Sequence, residues 1–180
     1  MVYIILGTGF EEVEAIAPCD ILRRGGVDVQ FAGIGGLEVT GGHGITVKAD
    51  LVVEDMDLHH LDMIVLPGGL GGVRSMLHSQ HTVDTIRWAW HHDKYVAAIC
   101  AAPTILAKFG ITDHKKAVVY PGMEDQMDTA IMQNSNVAED GLVLTGRAPG
   151  AAMDFGFLLL KTLKGAEAAE EVRSGMVYEK

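Results

Sequence analysis

Tyr95-Val96-Ala97-Ala98-Ile99-Cys100-Ala101-Ala102-Pro103-Thr104-Ile105-Leu106-Ala107-Lys108-Phe109 decides how this chain is read. An apolar run of strand length ends at a cysteine, and a helix-like run begins just after it. A thiol at the sharp turn between a buried strand and a helix is a nucleophile elbow. Such a turn tolerates only small neighbours, and here they are Ala98, Ala101 and Ala102. The helix aims its first N–H groups and its positive end at the sulfur, which favours the reactive thiolate. A buried, inert cysteine is the competing reading, because free Cys is among the most buried residue types.

The same alternation extends outward in both directions. Strands are expected at Val2–Leu6, Val27–Ala32, Met63–Leu66, Tyr95–Ile99, Lys116–Val119 and Leu142–Thr145. Helices are expected over Glu11–Arg24, Val73–His92, Ala151–Leu163 and Ala166–Arg173. Pro18 should break the first of these in two. Val39 to Val53 mixes β-branched residues with glycine and reads as a hairpin. Strands alternating with helices predict an α/β fold with a doubly wound, mostly parallel sheet and helices on both faces. The 180 residues suit one domain spanning 1–180.

In such sheets the site lies beyond the carboxyl ends of the strands. Five glycine-rich or polar loops fall there: Gly7–Glu12, Pro67–Gly72, the Cys100 elbow, Tyr120–Gly122 and Gly146–Gly150. Gly7-Thr8-Gly9 is not a dinucleotide fingerprint, since Glu12 stands at the sixth position and two carboxylates would repel a pyrophosphate. No Gly-Lys-Ser/Thr follows the Gly68–Gly72 loop, so it is not a Walker loop. Glu11 and Glu12 suit a helix N-terminus. Helical spacing can turn Glu14 inward instead, where burial beside a thiol would raise its pKa and fit it for acid/base work.

Charge and cysteine usage narrow the classes. A net charge of −10, with no basic run longer than Arg23-Arg24 or Lys115-Lys116, argues against nucleic-acid binding. Cys19 and Cys100 make no disulfide framework and suit a reducing, cytoplasmic setting. No apolar stretch has membrane-spanning length. His59-His60 and His91-His92 lack ligand spacing and read as surface residues, so no metal site is expected. His43, between glycines in the hairpin, has no evident role. Met123, Met127 and Met132 read as packing residues. Of Trp88 and Trp90, two apart on a helix, one is expected in the core and one at a rim.

Aligned together, Gly9-Phe10-Glu11-Glu12-Val13-Glu14, Pro18-Cys19-Asp20-Ile21-Leu22-Arg23-Arg24, Val65-Leu66-Pro67-Gly68-Gly69, Ala97–Pro103 and Leu144–Gly150 resemble the ThiJ/PfpI superfamily. The resemblance runs over nearly the whole chain and is nearest the parkinsonism-associated deglycase branch. It implies a flavodoxin-like fold and a homodimer. It implies Cys100 as the reactive thiol, Glu14 as its carboxyl partner, and Gly69 and Ala101 as oxyanion-hole donors. Gly68, Tyr120, Arg147 and Pro149 would shape the pocket, and Arg24 would reach a pocket across the dimer. The implied activity is a cofactor-free glyoxalase or deglycase acting on small aldehydes. Redox sensing or chaperone action through Cys100 oxidation is the alternative, and a peptidase or amidase a third.

Several positions depart from the family's patterns. Ala101 stands where the peptidase branch has histidine. No histidine follows His114, so a glutaminase-type triad cannot form in its usual order. Tyr120 replaces a histidine frequent in the deglycase branch, Ala102 a frequent glycine, and His43 an arginine of some relatives.

Overall fold

The computed structural model describes residues 1–178. Among the described residues, eleven strands and six α-helices run in the order β1 (Val2–Leu6), α1 (Glu12–Arg24), β2 (Val29–Gly33), β3 (Glu38–Thr40), β4 (Thr46–Lys48), β5 (Leu51–Val52), β6 (Met63–Leu66), α2 (Leu70–His78), α3 (Gln80–His91), β7 (Tyr95–Ile99), α4 (Pro103–Lys108), β8 (Lys116–Ala117), β9 (Ile131–Met132), β10 (Val137–Asp140), β11 (Val143–Gly146), α5 (Ala152–Lys164) and α6 (Ala166–Gly175).

The main sheet has the order β10-β11-β7-β6-β1-β2-β5. All its pairings are parallel except β10 with β11. Its five central strands, β2-β1-β6-β7-β11, follow the 2-1-3-4-5 order of flavodoxin-like sheets. In β1 and β6 every residue is buried, as a strand covered on both faces requires. One covering layer is α1 packed on α5, with α6 on α5; on β6 and β7 lies α3, itself packed on α2. The topological switch falls between β1 and β6, so the loops after these two strands open side by side. Cys100 directly follows β7, the next strand over. No helix among the described residues is long and apolar enough to cross a membrane.

Some expectations need correction. Helix α1 runs unbroken through Pro18. Pro18 leaves the backbone carbonyl of Glu14 without its i+4 donor, but packing against α5 holds the helix together. Gly156 permits that approach, since a Cβ there would lie 2.6 Å from Ile21 Cδ1 and 3.0 Å from Pro18 Cα. The helix expected over Val73–His92 is two, divided at Ser79, whose hydroxyl caps the second by accepting from the Thr82 N–H. The Val39–Val53 hairpin forms as β3 and β4, but its last residues return to the main sheet as β5. The strand expected at Lys116–Val119 is only β8, in a separate two-stranded sheet with β9. Over that small sheet Ala107, Val119 and Met127 form a second apolar cluster, with Met123 and Met132 at its edge. Trp88 and Trp90 are both half-buried, so neither is a fully enclosed core residue.

Candidate functional site

Cys100 occupies the left-handed region with φ of 65°, a strained conformation for a residue with a Cβ. Two backbone bonds hold it there. Its N–H donates to the Gly146 carbonyl at 2.9 Å, and its carbonyl accepts from the Tyr120 N–H at 2.8 Å. The elbow is therefore pinned by the loop after β11 and by the Tyr120 loop. Thr145, at the end of β11, ties these loops further by accepting from the Val118 N–H at 2.9 Å. A buried threonine at a strand end, just before a glycine loop, was the sequence signal for it.

Glu14 lies on the inward face of α1 and is fully buried. Its Oε2 accepts from the Gly68 N–H at 2.7 Å, while Oε1 is buried with no hydrogen-bond partner. The Cys100 thiol perturbs this carboxyl as a hydrogen-bonding neighbour would, but the contact falls short of full hydrogen-bond geometry. Gly68 is wedged between the two side chains. A Cβ there would sit 2.7 Å from Glu14 Oε2 and 2.8 Å from Cys100 Cβ. Gly69 takes φ of 81°, with the backbone of Gly9 to Glu11 pressed against it.

Burial pushes the Glu14 carboxyl up to about 7, helped by the charge of Glu11 and opposed by the Gly68 N–H and the thiol. The thiol is not acidified, contrary to the expectation from the helix end. Burial, followed by the charge and the close approach of the Glu14 carboxyl, pushes Cys100 up to about 12. The N–H groups of Gly69 and Ala101 pull the other way. Helix α4 is too short, at six residues, to offset that burial. Most of the repulsion from Glu14 vanishes when Glu14 carries the proton, so thiolate and carboxylic acid are one charge state of a pair that shares a proton. At 8% exposure the cysteine lies at the edge of solvent.

Of the remaining predicted residues, Tyr120 is exposed, and Arg147 and Pro149 are half-buried just past the Gly146 anchor. These stand in the loops that flank the elbow. Arg24 does not join them within this chain. Ten residues of helix, about 15 Å, separate it from Glu14. It donates to Asp20 at 2.8 Å and lines a groove with Ala168, Glu171 and Val172.

One cluster among the described residues offers a set of possible metal ligands: Glu11, Glu12 and His43. Their polar atoms already engage one another. Glu12 Oε2 lies 2.9 Å from His43 Nδ1, and Oε1 accepts from the His43 and Ile45 N–H groups at 2.8 and 3.3 Å.

Comparison with known proteins agrees with this fold. The family model described as DJ-1/PfpI family matches residues 1–162. Protein dj-1beta of Drosophila melanogaster is 36% identical, the alignment covering 97% of this chain and 95% of that protein. Its crystal structure superposes with a TM-score of 0.94 over 99% of this chain and 98% of its own, at 35% identity. A protein of Pyrococcus abyssi named a deglycase is 34% identical, over 83% of this chain and 90% of that protein.

Proposed function

The chain belongs to the DJ-1/PfpI family, and on that premise we propose that it is a cysteine-dependent enzyme of glyoxalase or deglycase type, acting on small 2-oxoaldehydes or their adducts. The observation that carries this reading is the pairing of a buried, proton-holding Glu14 with the Cys100 elbow. The relative named a deglycase supports the class of activity.

In the proposed reaction, Cys100 Sγ bonds to the aldehyde carbon as its proton passes to the pair's carboxyl. The carbonyl oxygen becomes an oxyanion facing the N–H groups of Gly69 and Ala101, which already turn toward the sulfur. Glu14 passes that proton on to the oxyanion, giving a hemithioacetal and leaving its own carboxylate. Glu14 as carboxylate then takes the proton from the former aldehyde carbon and returns it to the neighbouring carbon through an enediol. The aldehyde carbon is oxidised to a thioester as the ketone carbon is reduced to an alcohol, so no external oxidant is consumed. Water cleaves the thioester, releasing a 2-hydroxy acid and restoring the thiol. The scheme uses no cofactor.

The test is methylglyoxal turnover in the absence of glutathione. Cys100→Ser and Glu14→Gln are each expected to abolish it; undiminished turnover in either variant contradicts the assignment. We place the enzyme in a reducing, cytoplasmic setting, supported by its two unpaired, buried cysteines. We also propose a homodimer, supported by the exposed Val13, Ile16 and Ile45 that line one groove of about 750 Å³. Sedimentation equilibrium tests it, with a monomer as the contrary result.

A further inference from the structure

Three alternate N–H groups between Lys116 and Tyr120 find acceptors on three different parts of the main sheet. Lys116 N–H donates to Asp140 Oδ2 at 2.9 Å, Val118 N–H to Thr145 Oγ1 at 2.9 Å, and Tyr120 N–H to the Cys100 carbonyl at 2.8 Å. Asp140 ends β10, Thr145 lies in β11, and Cys100 follows β7. The carbonyls at the start of the same segment pair toward β9: Lys115 accepts from the Ile131 N–H and Ala117 from the Gln133 N–H. The segment that ends at Tyr120 is thus stitched to the sheet along one side, and two of its three stitches are side chains.

The middle stitch differs from the first. Asp140 makes its bond at an exposed position, whereas Thr145 and Val118 are both buried. Val118 lies beyond β8, so its N–H has no ladder partner. A buried N–H left unpaired is costly, and so is a buried hydroxyl. Thr145 is the only polar side chain in β11, and its hydroxyl answers the Val118 N–H.

These contacts close a ring through the elbow. Thr145 is followed by Gly146, whose carbonyl accepts the Cys100 N–H at 2.9 Å. The Cys100 carbonyl takes the Tyr120 N–H, and two residues before Tyr120 stands Val118, bound back to Thr145. Cys100 sits in this ring at φ of 65°, a conformation that persists only where its surroundings fasten it.

We propose that Thr145 is a positioning residue for Cys100: by holding Val118, its hydroxyl keeps the Tyr120 N–H on the Cys100 carbonyl and so keeps the thiol at the strained elbow. The inference rests on Cys100 as the reactive residue of the proposed function, but not on the aldehyde chemistry. Without the hydroxyl, Val118 turns to find another acceptor and Tyr120 moves with it. Cys100 then keeps only its bond to Gly146, and Sγ is no longer held against the N–H groups of Gly69 and Ala101 that face it.

The test is amide hydrogen exchange, read residue by residue by NMR, in the wild type, Thr145→Val, Thr145→Ser and Asp140→Ala. Valine keeps the shape of threonine and removes the acceptor. Protection of the Tyr120 amide should fall about tenfold in Thr145→Val, the order of one hydrogen bond, while the amides of β1 and β6 stay unchanged. Thr145→Ser restores the acceptor and should restore the protection. Asp140→Ala frees an exposed N–H that water can satisfy, and should leave Tyr120 within about twofold of the wild type. Should valine prevent folding, Thr145→Ala carries the same expectation. The proposal is overturned by a Tyr120 amide that exchanges as in the wild type, by an equal loss across β1 and β6, by a serine variant that fails to recover, or by an equal effect of Asp140→Ala. Methylglyoxal turnover supplies a separate arm. In Thr145→Val the kcat should fall about 10- to 100-fold with KM changed less than about threefold, and serine should restore it. A wild-type kcat in the valine variant also overturns the proposal. A wild type without turnover contradicts the proposed reaction instead, and the exchange pattern alone then decides for or against Thr145.

Discussion

Glu14 and Cys100 meet across a residue that has no side chain. Gly68 donates its N–H to Glu14 Oε2 at 2.7 Å, and the space where its Cβ would stand touches both Glu14 and Cys100. A methyl group there must displace the carboxyl, the thiol, or the Ile99 carbonyl that lies 2.9 Å from the same point. Gly68→Ala should therefore cost about 1–3 kcal/mol by overpacking. Turnover should fall on the order of 100-fold, since small misplacements of reacting groups cost that much. Denaturant melts and steady-state kinetics check both, and wild-type activity in Gly68→Ala would show that the wedge is not needed.

The buried carboxyl makes a prediction about stability. Glu14 is raised from 4.5 to about 7 in the folded protein. A carboxyl so raised binds its proton more tightly folded than unfolded, so its contribution is full below pH 4.5 and lost as pH climbs toward 7. Glu14→Gln cannot ionise. It should gain stability relative to the wild type between pH 5 and pH 8, by on the order of 2–3 kcal/mol. Urea melts across that range measure the gap; a difference independent of pH would mean that Glu14 titrates as an ordinary surface carboxyl.

Backbone strain at the elbow can be separated from loss of the thiol. Cys100→Ala and Cys100→Gly both remove the sulfur, but only alanine keeps a Cβ at φ of 65°. The glycine variant should be the more stable of the two by about 1 kcal/mol. An alanine variant as stable as the glycine one would show that the elbow carries no strain.

Much of this arrangement is legible in the sequence because burial leaves a plain mark. β1, β6 and β7 are covered on both faces, and they read as unbroken apolar runs with the bounds seen in the structure. The Cys100 elbow is legible for a related reason, since only small residues fit around it. Tertiary effects hide the rest. Pro18 looks like a helix breaker until Gly156 of α5 brings a second helix against it. Ser79 divides two helices with a single hydroxyl cap inside a continuous helical pattern. β8 pairs with a two-residue strand that no periodicity marks. The inward turn of Glu14 can be read from spacing, but the high pKa of Cys100 cannot. The short helix α4 points to an acidified thiol, whereas the burial that opposes it is set by three loops distant in sequence.

The carboxyl carbon of Glu14 gives the most direct test that this acid holds a proton beside the thiol near neutral pH. With the side chain labelled with carbon-13, its resonance should titrate with a midpoint close to 7. A midpoint near the ordinary glutamate value of about 4.3 would mean that Glu14 is ionised at rest and cannot share a proton with Cys100.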